Sequence, residues 1–284
     1  MPSRNIPSAR LRRIGSALRK AREDRRMTMD TACRRYGRSK GWLSALENGL
    51  TSIDRQELAD LLDFYDVPDG PLRESLLHLA AHDPGKNWER IREGRISAAA
   101  LDLAGLEEDA ALIRNFEPCV VPGLLQTPDY ARALMAVGPV RPARNTTALV
   151  AFRMARQKVL ARPDPPRYVA VISESVFHHQ VGGPGVMQVQ LRRLRDAVQS
   201  DTVALHVLPN SAAAHLWLAG PFHLLSLRPP GDLTVSVVEQ FTKSLFVEDD
   251  KEIALIEKIF SLLLEASLDQ EGSLKLIERL ASRP

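Results

Sequence analysis

The N-terminal part of the chain carries a helical rhythm of apolar positions. Leu11, Ile14, Ala17, Leu18 and Ala21 recur at steps of three and four, with Arg12, Arg13, Arg19, Lys20, Arg22, Arg25 and Arg26 filling the other faces. Thr28 is placed to cap a second short helix, and Asp30 suits its first turn. Gly37 can take the positive φ of a helix exit, and Ser39 caps a third helix with Leu43 and Leu46 on its buried edge. Asn48-Gly49 ends that helix. Ile53, Leu58, Leu61, Leu62 and Tyr65 mark the inner face of a fourth over 53–65, and a fifth spans 71–82. Before all of these, residues 1–9 are polar, hold Pro2 and Pro7, and read as a loose arm.

The pattern breaks at His82-Asp83-Pro84-Gly85-Lys86, which predicts a domain boundary: 1–83, then 84–284. Trp88 to about Ala110 is mostly helical, and Ala111–Phe116 is a candidate strand. A turn at Val121–Leu125 leads to a helix opening at Thr127-Pro128, with proline at the first helical position, and 146–161 forms another amphipathic helix. The texture then alternates. Strands are expected at 167–173, 202–208, 222–227, 233–239 and 244–247, with a helix at 186–198 after Gly182-Gly183-Pro184-Gly185 and two closing helices near 250–266 and 270–282. The fold class is therefore an all-α five-helix N-terminal domain followed by a mixed α+β C-terminal domain.

Composition narrows the class. The 284 residues are 44% apolar and 26% charged, as in ordinary globular proteins. Two cysteines, Cys33 and Cys119, are too few for a disulfide scaffold and suit a reducing cytoplasm. No apolar run approaches the roughly 20 residues of a membrane span, and no apolar stretch follows the basic N-terminus as in a secretory signal. Net charge is +3, but residues 1–50 hold 13 Lys/Arg against 4 Asp/Glu, a local +9 that leaves −6 for the rest. A basic end on a mildly acidic body points to a polyanion, nucleic acid ahead of an anionic membrane; the plain alternative is a solvated arginine-rich face.

A glycine between two short helices permits the steep crossing that lets the second helix enter a major groove about 12 Å wide. The run from Thr28 to Arg55, with Gly37, Ser39 and Leu43-Ser44-Ala45-Leu46-Glu47-Asn48-Gly49, resembles the Cro/repressor-type (XRE) helix-turn-helix over about residues 10–82. That resemblance implies that Ser39, Lys40, Gly41, Ser44 and Ala45 face base edges. It also implies that Asn48 and Arg55 hold phosphates and that Thr28 caps its helix and contacts phosphate. Met29 stands where many relatives carry a phosphate-reaching glutamine, and Ala45 where Arg or Gln is common, leaving Lys40 as the one long side chain facing the groove. Ala45 can still meet a thymine methyl. Trp42 has two readings, packing across the helix pair, which we favour, or lying on the sugar-phosphate chain. The competing reading of the whole motif is a helix-turn-helix used only for protein contacts.

Further ordered motifs follow: Val121-Pro122-Gly123-Leu124-Leu125-Gln126-Thr127-Pro128-Asp129-Tyr130, then Arg153, Arg156 and Gln157, then Gly182-Gly183 with Met187, Gln190 and Leu194, then Val207-Leu208-Pro209 and Gly220-Pro221-Phe222. With the helix-turn-helix they resemble the WhiJ-like regulators of actinobacteria, in which an XRE domain precedes a DUF5753 domain. The resemblance implies a cytoplasmic transcriptional regulator, and a small DUF397-type protein as partner. Short operators call for two half-sites, so a homodimer is expected. At Ile172-Ser173-Glu174 relatives usually have an Asp-Glu pair, here reduced to Glu174. The glycine turns read first as architecture, second as a pocket or partner groove, with Gly182–Gly185 as a weak anion cradle.

Catalytic signals are thin. His78 and His82 are four apart, but without the glutamate of HExxH or a cysteine pair they read as an exposed helix face. There is no GxSxG elbow and no CxxC. Glu174, Glu239 and Glu248 could meet in a cleft. We expect no enzyme, cofactor or metal, and a C-terminal domain that senses and assembles. The rivals are an antitoxin-like interaction scaffold, or an enzyme in the C-terminal domain.

Overall fold

The computed structural model describes residues 9–81, 96–136, 146–212, 219–228, 234–239 and 244–282. The chain divides into two compact units, Met1–Leu106 with Leu227–Leu233, and Glu107–Ser226 with Thr234–Pro284. Residues 1–8 of the polar arm and the break at 82–86, with His82, lie outside the described residues.

Among its described residues the first unit opens with five helices, as the apolar spacing predicts: α1 (Ala9–Asp24), α2 (Met29–Tyr36), α3 (Lys40–Glu47), α4 (Arg55–Phe64) and α5 (Pro71–Ala81). Ile14, Leu18, Leu43, Leu46, Leu58, Leu61, Leu62, Tyr65 and Leu76 are buried, and Cys33 joins them as a small apolar residue. Backbone approach sets how closely α1 meets α3. A Cβ on Gly15 would stand 2.5 Å from the Leu46 carbonyl oxygen, so only glycine fits there. An ion pair crosses the same contact: Arg22 donates to Glu47 through Nε at 2.6 Å and through Nη2 at 3.0 Å, both side chains buried.

The division between the units falls within α6 (Ala98–Asp109). The second unit is built on a six-stranded sheet: β1 (Ala110–Glu117), β2 (Arg167–Ser173), β3 (Val203–Leu208), β4 (Phe222–Leu227), β5 (Thr234–Glu239) and β6 (Ser244–Val247), in the order β3-β2-β1-β4-β5-β6. β1, β2 and β3 are parallel, while β4, β5 and β6 pair antiparallel. The parallel strands need crossovers. These are α7 (Pro128–Ala136) and α8 (Thr146–Arg156) between β1 and β2, then α9 (Pro184–Ala197) between β2 and β3. The expected 146–161 helix ends at Arg156 and tightens into a 3-10 turn, Gln157–Ala161.

Period-two alternation assigns the two faces of the sheet. Phe116, Val169, Val171, Phe222, Leu224 and Val247 form one apolar layer with Ile253, Phe260 and Leu263 of α10 (Asp250–Glu265). Its aromatic centre is Phe222, between Phe116 and Phe260 at centroid distances of 6.0 and 6.3 Å. α11 (Gln270–Ala281) closes the β3 edge: Val207 donates its amide to Ser273 Oγ and accepts from the Leu268 amide, both at 2.9 Å. That removes hydrogen-bonding groups an edge strand would otherwise expose.

Candidate nucleic-acid interface

Local capping builds the turn between α2 and α3. Thr28 Oγ1 accepts from the Thr31 amide at 3.2 Å and starts α2, while Gly37, at φ 79°, ends it with its amide on the Cys33 carbonyl at 2.9 Å. Ser39 Oγ accepts from the Trp42 amide at 3.1 Å and starts α3. The residues at that start, Ser39, Lys40 and Gly41, are exposed; Ser44 and Ala45 one turn later are half-buried, while Leu43 and Leu46 point inward. No atom lies within 4 Å of a Cβ built on Gly41, so the first turn of α3 is open on that side.

Other expected contacts are already engaged inside the unit. Lys40 Nζ lies 3.0 Å from Asp30 Oδ1, an exposed pair. Asn48 uses both ends of its amide: Oδ1 accepts from Arg19 at 2.8 Å, and Nδ2 donates to the Ser44 carbonyl at 2.7 Å. The phosphate contact expected of Asn48 would have to share those bonds. Trp42 packs across the helix pair: its ring lies 6.3 Å from Tyr36 at 16°, with the Arg38 guanidinium 5.2 Å above it. Arg55 follows the Asp54 cap at the start of α4, exposed and with no side-chain partner among the described residues.

The second unit has a polar layer that sequence reading did not assemble. It lies on the sheet face away from α10. Asn115 and Glu117 project there from β1, Tyr168 from β2, His223 from β4 and Glu239 from β5. Tyr168 donates to Asn115 Oδ1 and Asn115 Nδ2 donates to the Phe222 carbonyl, both at 3.0 Å. Arg156 holds Glu107 through two bonds, 2.8 and 2.7 Å, and burial is outweighed by that neighbour, so its pKa stays raised. Glu117 is different. Burial, and then the Glu239 charge, push its carboxyl up to about 8. His223 is buried and its pKa is lowered by that burial. Glu174, one of three carboxylates with Glu239 and Glu248 that could share a cleft, accepts from the Asn210 amide at 2.9 Å.

The sequence motifs converge around the chain at 121–127. Gln126 Nε2 donates to the Val121 carbonyl at 2.7 Å and Arg153 donates to Gln126 Oε1 at 2.7 Å. Gln157 donates to the Gly123 and Gln126 carbonyls at 3.0 and 2.7 Å, and Gln190 clamps Thr127 and Leu125 at 2.7 and 2.8 Å. Tyr130 accepts from the Val121 amide at 3.1 Å. A Cβ on Gly182 would stand 2.9 Å from Ala133 Cβ, so this glycine serves a close approach to α7. Among the described residues no group of three or more His, Cys, Asp or Glu is arranged to hold a metal, and no helix is long and apolar enough to cross a membrane.

A family model described as a domain of unknown function, DUF5753, matches residues 100–279, well over half of the chain. The chain belongs to the DUF5753 family. In this DUF5753 protein a second model, described as a helix-turn-helix domain, matches residues 13–76, which covers α2, the Gly37 turn and α3. Residues 13–76 of the first unit are therefore a helix-turn-helix domain, the module of DNA-binding regulators. No curated protein and no solved structure matches the chain.

Proposed function

We propose that this DUF5753 protein is a sequence-specific DNA-binding transcriptional regulator that acts as a cytoplasmic homodimer, with its second unit serving assembly and the binding of a small partner protein or ligand. The observation that carries the reading is the open first turn of α3, where Ser39, Lys40 and Gly41 are exposed on a helix that Leu43 and Leu46 anchor from beneath. In this reading Ser39, Lys40, Gly41, Ser44 and Ala45 face base edges, Arg55 and Thr28 meet phosphate, and Trp42 props the helix pair. Lys40 releases Asp30 on binding; an exposed pair of that kind is worth only about 0–1 kcal/mol, so the exchange is cheap. The partner implied by the family resemblance is a small DUF397-type protein.

Genomic fragments enriched on the immobilised protein supply the duplex for fluorescence anisotropy. Affinity falls steeply with salt, with a log–log slope near −0.9 per neutralised phosphate. Arg55→Ala weakens specific and random duplex alike, whereas Lys40→Ala lowers the ratio between them. A flat salt plot, or equal loss of specificity in both variants, overturns the assignment.

A further inference from the structure

α10 covers the sheet with Ile253, Phe260 and Leu263, yet it also carries two exposed leucines on its outer side. Leu255 is 59% exposed and Leu262 43% exposed. Ile259 lies between them and Ala266 just past the helix end; both are half-buried, packed against the sheet's apolar layer with one edge left open beside the two leucines. The steps 255, 259, 262, 266 are four, three and four, the spacing of a two-helix seam. Lys251, Lys258 and Glu265 run along one flank at intervals of seven, exposed and without an ion-pair partner among the described residues.

That charge order selects the occupant. Consider a second α10 laid antiparallel, so that Ile259 packs on Leu262 of the other copy and Leu255 on its Ala266. The two-fold axis then brings Lys258 opposite Glu265 of the other copy, and Glu265 opposite its Lys258. Two opposite-charge pairs thus flank four apolar layers. Sliding the helices until Leu255 meets Ile259 instead sets Lys258 against Lys258 across the axis. A parallel pairing sets Lys258 against the buried Leu263 and leaves the charges unmatched. One register alone satisfies both the apolar and the charged positions.

We infer that α10 is the self-association surface of this protein, pairing antiparallel with α10 of a second copy along Leu255, Ile259, Leu262 and Ala266, with Lys258–Glu265 pairs at its edges. This rests on the homodimer reading and gives it a surface. The seam is about 16 Å long from the eleven residue steps between Leu255 and Ala266. Alone it buries less than the ~1,200 Å² at which stable interfaces begin, so the dimer is weak. Two DNA readers bound to adjacent half-sites supply the remaining local concentration.

Sedimentation velocity of the full chain from about 1 to 300 μM tests it. Lys258→Glu and Glu265→Lys each place like charges across the seam and weaken the dimer at least tenfold. The double variant Lys258→Glu/Glu265→Lys restores the wild-type constant, which a merely local effect on α10 folding would not do. Leu262→Glu abolishes association at every concentration. Single swaps that leave the dimer unchanged overturn the α10 seam but leave the homodimer standing on another surface. Wild-type protein that stays monomeric at 300 μM overturns both.

Discussion

Removing the Glu47 carboxylate tests the energetics of the DNA-reading unit most sharply. Glu47 closes α3, where the helix dipole disfavours a negative charge. Its side chain is wholly buried, and Arg22, with a side chain only 10% exposed, answers it from α1. The hydrogen bond to Glu47 is the leading reason the Arg22 pKa is raised. Arg19 adds a contact to Glu47 Oε2 at 3.5 Å and a bond to the Glu47 carbonyl at 3.2 Å. Glu47→Ala leaves Arg22 buried with the Met27 carbonyl at 2.8 Å and the exposed Glu23 as its remaining partners. Stranding a buried charge in this way costs about 3–5 kcal/mol. Hydrogen exchange on the full chain reads this locally. Amides of α1 and α3 exchange roughly 10²- to 10³-fold faster, and those of β2 in the other unit are unchanged. The double variant Arg22→Met/Glu47→Leu, which removes both charges and keeps apolar volume, returns to within about 1 kcal/mol of wild type or exceeds it. A less than tenfold change in Glu47→Ala, or a double variant as damaged as the single one, refutes the argument that the cost lies in the stranded guanidinium.

The remaining predictions concern two glycines and one carboxyl. Gly41→Ala meets nothing and replaces glycine inside a helix, so it raises the unfolding free energy by about 0.5–1 kcal/mol while changing duplex selectivity; Gly15→Ala, with the Leu46 carbonyl in its way, lowers the melting temperature by many degrees. Similar melting temperatures in the two variants would contradict the close approach of α1 to α3. Glu117, pushed up from 4.5 to about 8, keeps in the folded state a proton that the unfolded chain has already released. Its contribution is therefore fully present below about pH 4.5 and is lost as pH rises through about 8. Glu117→Gln removes that decline, so urea denaturation shows the variant gaining on wild type with rising pH, approaching about 5 kcal/mol near pH 8; parallel pH curves would refute it.

Much of the first unit was legible because its decisive chemistry is local. Thr28, Gly37 and Ser39 act within three or four residues of themselves, and the apolar positions of α1 to α5 follow a single period. The pairs that tie helices together were not legible. Arg22 and Glu47 are 25 residues apart, and nothing in either segment marks the other. Asn48 shows the same limit: its place after α3 matches a phosphate-holding position, but Arg19 reaches it from 29 residues upstream. In the second unit β2, β4 and β6 fell where β-branched and apolar runs predict. The 146–161 helix was over-extended because Gln157 is drawn to the carbonyls of Gly123 and Gln126, a tertiary pull that the apolar pattern does not carry.

The polar layer of the second unit separates architecture from chemistry. Gln126, Gln157 and Gln190 give their amides to backbone carbonyls of 121–126, so their place in the sequence motifs is accounted for by holding that segment in shape. The pair of Glu107 and Arg156 is likewise closed, each charge answered by the other. Glu117 stands apart: it is buried on a sheet face with Glu239 as a like charge, and the Asn115 hydrogen bond and the Arg153 charge lower its pKa less strongly than burial raises it. A carboxyl placed so is held neutral at a cost in folding stability at high pH, and a scaffold alone would be served better by the glutamine that stands at 126, 157 and 190. The stability that Glu117→Gln is predicted to gain therefore measures how much this fold gives up to keep an ionisable group at the end of β1.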